Sequence, residues 1–230
     1  MKQITFFLFL LVLVGCKEEQ KPKVKYNTTN TTVEVKKDTS TLQVADLPVQ
    51  FEGSDILIYP IGDLRVSDLK KAGIDSRSYE ETTNFNVSNA LENEITGYLR
   101  NVKFQKINTD SLYVLTDKNV SIERMTYLGS KKMMVYVVAD QDTNQDNIVD
   151  TNDIKSLYLS TNMGEKFTKI SASFQELIDW NYVEGTSQLF FRTIEDANKN
   201  GAFDKKDKLH YFTITLSKDW EAKEFFPVSK

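Results

Sequence analysis

The stretch DTNQDNIVDTND, residues 142–153, places a side-chain oxygen at its first, third, fifth, ninth and twelfth positions, in Asp142, Asn144, Asp146, Asp150 and Asp153. Oxygen donors at that spacing, with a main-chain carbonyl at the seventh position, here Ile148, suit a twelve-residue loop wrapped around a hard divalent cation such as calcium. The sixth position has to turn sharply. It is Asn147, and Asn is the non-glycine residue most at home in the left-handed backbone region. DANKNGAFDKKD, residues 196–207, repeats the pattern with Asp196, Asn198, Asn200, Asp204 and Asp207, the Ala202 carbonyl at the seventh place and Gly201 at the turn. One such stretch would be ordinary at a polar hairpin tip, because Asp and Asn favour turns through their own hydrogen bonds. Two with matching spacing predict two bound calcium ions.

The two loops are not equivalent electrostatically. The first carries four carboxylates; the second carries three and also Lys199, Lys205 and Lys206, which weaken its field for a dication. Both end in Asp rather than a longer, bidentate Glu, so the expected dissociation constants are about 10⁻⁴ M or weaker. At millimolar calcium a site of that strength adds about 1.4 kcal/mol to folding, which suits a structural clip better than a sensor.

Other chemistry finds less material. His210 is the only histidine and Cys16 the only cysteine, so neither a Ser-His-Asp nor a Cys-His arrangement stands out and a zinc site lacks ligands. Nine glycines show no phosphate-binding pattern. A pair of carboxylates could still perform hydrolysis, and the acids outside the loops that could supply one include Glu92, Glu94, Glu123, Glu176, Asp179 and Glu184. Trp180, Trp220, Tyr182, Tyr211, Phe190, Phe191, Phe225 and Phe226 load the C-terminal part with rings. These suit either core packing or a platform for sugars. A net charge of −4 and a pI near 5.2 give no reason to expect nucleic acid as a partner.

The elements that must hold the loops read as strands. Residues 132–139 and 155–160 flank the first loop, and 188–194 and 209–216 flank the second; all are short, β-branched and aromatic, with no helical stripe. Each loop is therefore expected at the tip of a β-hairpin. The loops start 54 residues apart, and MTYLGSKKMMVYVV before the first parallels WNYVEGTSQLFFRT before the second. A further strand, a turn and an aromatic segment follow each loop, giving four short strands per unit. Candidate units are 122–172 and 173–230, with an earlier copy at 97–121 in which Ser111 to Leu115 echo the strand beginning at Ser156. The predicted class is mainly β: an antiparallel β-repeat, either a partial or small propeller-like array or an open stack of sheets. Residues 55–60 read as a strand and 67–72 as a short helix in an irregular N-terminal cap.

The first fifteen residues pair one Lys with an apolar run from Phe6 to Val14, too short to span a bilayer but suited to a signal peptide. Leu13, Val14, Gly15 and Cys16 resemble a bacterial lipobox, which implies cleavage before Cys16 and its lipidation. Lys17, Glu18 and Glu19 are similar to the export signal of some surface lipoproteins, which implies an outer-membrane lipoprotein exposed at the cell surface. Residues 16–50 are rich in Thr, Asn and Lys and read as a flexible tether about 30 Å long. The β-repeat domain is expected over 51–230.

From about Gly97 onward the chain resembles bacterial lipoproteins with TolB-like, WD40-like propeller blades, and the two loops are similar to EF-hand and dockerin calcium loops. Dockerins follow each loop with a helix, whereas this chain has strands there, so cohesin binding is not implied. The expectation is a calcium-binding, lipid-anchored envelope module that binds a protein or glycan partner or serves structurally. Two alternatives are an accessory hydrolase of glycan or peptidoglycan and, by the TolB resemblance, an assembly factor that docks proteins.

Overall fold

The computed structural model describes residues 22–26, 40–65, 86–216 and 219–228. The signal segment 1–15, Cys16, the acidic export pattern at 17–19 and the short helix read at 67–72 lie outside the described residues. The strands are β1 (Thr41–Ala45), β2 (Ile56–Arg65), β3 (Ser88–Ala90), β4 (Glu94–Lys106), β5 (Leu112–Val114), β6 (Ser121–Leu128), β7 (Met133–Ala139), β8 (Lys155–Thr161), β9 (Thr168–Lys169), β10 (Gln175–Val183), β11 (Gln188–Glu195), β12 (Lys208–Thr215) and β13 (Lys223–Glu224). The protein is mainly β, and every strand pairing is antiparallel.

Two open sheets result. One runs β1-β2-β4-β6-β7-β8-β9, with β3 and β5 also paired to the long β4; the other runs β10-β11-β12-β13. Neither closes on itself. The stretch β6 to β9 and the second sheet are the same four-stranded meander. Each opens with a hairpin closed by a 3₁₀ turn, Gly129–Lys131 in one and Glu184–Thr186 in the other. A left-handed residue follows each turn, Lys132 at φ 51° and Ser187 at φ 54°. The register slips once in each first hairpin, between Ile122 and Arg124 and between Leu177 and Asp179, 55 positions apart as are the two turns.

The meanders stack face on face, and that stacking explains the sequence of β7. Met134, Tyr136 and Val138 point into a core shared with Phe51, in the segment before β2, and with Ile58, Leu99 and Phe104 of β2 and β4. Met133 and Val135 point the other way, against Leu177, Leu189, Phe191 and Ile214 of the second sheet. A strand covered on both faces has no polar side to show, so MMVYVV runs apolar without alternation. The Tyr136 hydroxyl, fully buried, meets the Ser160 hydroxyl at 2.8 Å, and burial raises it well above the usual tyrosine range.

Two boundaries differ from the sequence reading. Thr41–Ala45, placed in the tether on composition, pairs with β2 from Thr41↔Arg65 to Ala45↔Ile61. Its burial is slight, Leu42 being 50% exposed, so an edge strand of this kind leaves little hydrophobic signal. Residues 97–121 do not form a separate four-stranded unit. β4 pairs with β2, β3, β5 and β6 at once, and Leu112, Tyr113 and Val114 of β5 lie exposed where the corresponding Leu157, Tyr158 and Leu159 are buried.

Leu159 is fully buried between the stacked units, whereas Thr213 holds the same repeat position on the uncovered side of the second sheet. Leu159→Ala should cost about 2–5 kcal/mol of stability, and Thr213→Ala about 0.5 kcal/mol or less. Urea unfolding of both variants at fixed calcium measures the difference; equal losses would contradict face-on-face stacking.

Candidate metal centre

The first loop bridges β7 and β8 beyond the pair Ala139↔Lys155, and the second bridges β11 and β12 beyond Glu195↔Lys208. Both twelve-residue stretches therefore sit at hairpin tips. Their backbones follow one path: the fourth and sixth residues are left-handed in each, Gln145 (φ 58°) and Asn147 (φ 72°) in the first, Lys199 (φ 55°) and Gly201 (φ 82°) in the second.

The side-chain oxygens make the same bonds in both loops. The first-position carboxylate takes the fifth and sixth amides: Asp142 from Asp146 and Asn147 at 3.1 and 2.8 Å, Asp196 from Asn200 and Gly201 at 3.2 and 2.7 Å. Asn144 and Asn198 each accept from the amide two residues on, at 2.9 and 3.0 Å. Asp146 and Asn200 do the same at 2.9 and 2.8 Å, and Asp150 and Asp204 at 2.7 Å each. The closing residue reaches back across its loop: Asp153 accepts from Thr143 and Asp150 at 2.7 and 2.9 Å, Asp207 from Ala197 and Asp204 at 3.2 and 2.7 Å. All ten side-chain donors named from the sequence are thus fixed by loop amides. An oxygen that accepts one N–H keeps a second lone pair for a cation. The carbonyls of Ile148 and Ala202, at the seventh positions, accept no hydrogen bond among the described residues.

Charge is the unsatisfied quantity. Among the described residues, none of the seven loop carboxylates pairs with a lysine or arginine. Asp153 is wholly buried and Asp196 is 4% exposed. Burial pushes the Asp153 carboxyl above the ordinary carboxylate range, against the opposing pull of the Asp150, Asn144 and Thr143 amides. A carboxylate withdrawn from water without a counter-charge is costly, so oxygen donors in this state fit a hard divalent cation. No three His, Cys, Asp or Glu side chains converge as a cage among the described residues. The donor sets here rely on Asn and carbonyl oxygens as well. Asp142, Asn144, Asp146, Ile148, Asp150 and Asp153 would hold one calcium, and Asp196, Asn198, Asn200, Ala202, Asp204 and Asp207 the other.

The sequence reading missed a five-residue strap. Residues 22–26, placed in the tether, lie across both loops. The Lys23 and Val24 amides donate to the Gly201 carbonyl at 2.7 and 3.2 Å, and the Lys25 amide donates to the Thr143 carbonyl at 2.9 Å. In return, the Thr143 hydroxyl donates to the Lys23 carbonyl at 2.8 Å and the Gln145 side-chain Nε2 to the Lys25 carbonyl at 3.0 Å. Val24 is 2% exposed, and the Lys23 ammonium sits 2.6 Å from Glu176. Tyr26 packs on Phe174; burial first, then the nearby Asp196 carboxylate, pushes its hydroxyl up to about 12. Backbone hydrogen bonds do most of this work, and a strap with one buried apolar side chain gives no periodic signal.

Several of the other candidate groups have partners of their own. His210 is buried between Glu224 at 2.7 Å and Glu195 at 3.0 Å, tying three strands together. Of the acids weighed for hydrolysis, Glu94 pairs with Arg124, Glu123 with Lys155, Glu176 with Lys23 and Asp179 with Arg192. The aromatic load divides by face: Phe191 is buried between the sheets with Trp180, Tyr182 and Trp220 against it, while Phe190, Tyr211 and Phe225 gather on the outer side. The chain matches no protein-family model and no curated protein.

A Cβ at Gly201 would stand 2.4 Å from the Val24 carbonyl oxygen, on a backbone already at φ +82°. Gly201→Ala should therefore destabilise by about 1–3 kcal/mol and expose the strap to protease. Asn147→Gly, at the matching place in the other loop, should change stability by no more than about 0.5 kcal/mol. Thermal melting and mass mapping of early cleavage within residues 22–26 check both. An undisturbed strap in Gly201→Ala would refute the close approach.

Proposed function

We propose that the protein is a calcium-clipped, lipid-anchored β-repeat module of the cell envelope, acting in binding or as a structural element and held at the outer membrane by Cys16. The observation that carries this reading is the strap: one short segment, six positions after Cys16, hydrogen-bonds to both oxygen-rich loops. Bound calcium supplies the positive charge that the loop carboxylates lack. The chain's own residues do the rest. Asp153 and Asp207 draw each hairpin tip closed through the second and ninth amides, Gly201 receives the strap at close range, and Val24 seals it.

Mechanically, this makes the loops a clasp. A pull on the anchored N-terminus reaches the body through hydrogen bonds to two hairpin tips rather than through a free coil. The tips are long for hairpins, and ordering each costs loop entropy that cation binding offsets. In this reading the two four-stranded units are propeller-type blades stacked in an open series, and their matching turns and register slips support it.

Two experiments test the proposal. Asp142→Ala with Asp146→Ala should lower the melting temperature in millimolar calcium, by the few degrees that about 1.4 kcal/mol represents, and leave it nearly unchanged in chelator. The same fall in both buffers would mean the acids act only as turn residues. Cys16→Ser should move the protein from the membrane fraction to the soluble one; retention on membranes would defeat the anchor.

A further inference from the structure

The repeat register assigns a role to the outer face of the last sheet. In the first unit, Val135, Val137, Leu157, Leu159 and Ile170 lie on the face that the second unit covers. Pairing β6-β7-β8-β9 onto β10-β11-β12-β13 gives their counterparts: Phe190, Arg192, Tyr211, Thr213 and Phe225. Ile170 donates its amide to Leu157 as Phe225 does to Tyr211, which fixes the last correspondence. Two apolar positions have thus become Arg192 and Thr213, and Asp179 stands where Arg124 stood. The changes end the stack, as capping repeats do. They do not make the face uniformly polar, because three positions became rings.

Asp179, Asn181, Phe190, Arg192, Tyr211 and Phe225 line one cleft of ≈ 250 Å³ on this face. Phe225 meets Phe190 and Tyr211 edge to face, at centroid distances of 5.7 and 6.1 Å. Beside them Arg192 holds Asp179 in a two-pronged ion pair, with Asn181 next along the strand. The pair is internally neutral, so a charged ligand gains little from it. A wholly apolar partner would strip its water with no return. A neutral, polyhydroxylated ring has the fitting chemistry: its C–H face lies on the aromatic rings, and its hydroxyls reach the spare guanidinium N–H groups, carboxylate lone pairs and Asn181 amide.

We propose that this cleft binds a neutral oligosaccharide, with Phe190, Tyr211 and Phe225 as the stacking rings and Asp179, Asn181 and Arg192 as the hydroxyl-reading groups. This gives the binding role proposed above its ligand class, and rests on that role.

The test titrates calcium-loaded protein with hexamers of neutral sugars: glucose in both linkages, mannose, xylose and N-acetylglucosamine. Tryptophan fluorescence and amide chemical shifts are the readouts. At least one sugar should shift β11 and β12 amides saturably. Phe225→Ser and Phe190→Ser should each weaken it by about tenfold, while Leu112→Ser, an exposed change on β5, leaves it unchanged. Measuring both variants protects against one that fails to fold, and circular dichroism verifies each. No binding by any of these sugars, binding only to a charged polymer, or self-association through this face in sedimentation would overturn the proposal. Repeating the titration in chelator separates the two claims: retained sugar binding with no thermal response to calcium would strike the clasp alone.

Discussion

Seven carboxylates on two hairpin tips, without a lysine or arginine paired to any of them among the described residues, set the terms for the rest of this structure. Loop amides settle the direction of each oxygen but contribute no full charge. The burial of Asp153 and Asp196 makes the deficit sharper, since water cannot screen what it does not reach. The proposed dication would supply that charge at donors whose directions the loop amides already set. The strap at 22–26 hydrogen-bonds to both tips, so the three segments form one connected unit.

Behind the tips lies a repeat whose two copies differ in what covers them. The same register positions are aliphatic where a second meander lies on top and polar or aromatic where none does. β7 reads apolar at every position because it serves two cores; β11, with one face covered, alternates. His210 fits this logic as well: it sits on the covered side with its two nitrogens engaged by Glu195 and Glu224. Asp140 in the first unit answers with Lys169 and Tyr158, so a hydrogen-bonded side-chain link between inner and outer strands recurs with different residues.

Much of this was legible from the residues. The mainly β class, the strands that flank each loop and the placing of both loops at hairpin tips follow from strand composition and the 55-residue parallel of turn and strand. What escaped did so for physical reasons. The strap depends on main-chain hydrogen bonds and one buried valine, neither of which has a pattern. β1 is an exposed edge strand of polar composition. The hairpin turns contain Gly129 and Gly185, yet the left-handed residues are Lys132 and Ser187, two to three places on, so glycine marked the turn without supplying its conformation. The echo between Ser111–Leu115 and the strand at Ser156 was a likeness of local propensity alone, since propensity does not say which face is covered. Rings on opposite faces of β10 to β12 were likewise indistinguishable until register was known.

Calorimetric titration of the full-length chain with calcium bears most directly on the charge deficit. Uptake of two ions per chain is expected, with dissociation constants of about 10⁻⁴ M, the first loop binding more tightly than its lysine-bearing counterpart. No heat and no uptake at millimolar concentration would show that the loop amides alone stabilise these carboxylates, and the clasp would have no basis.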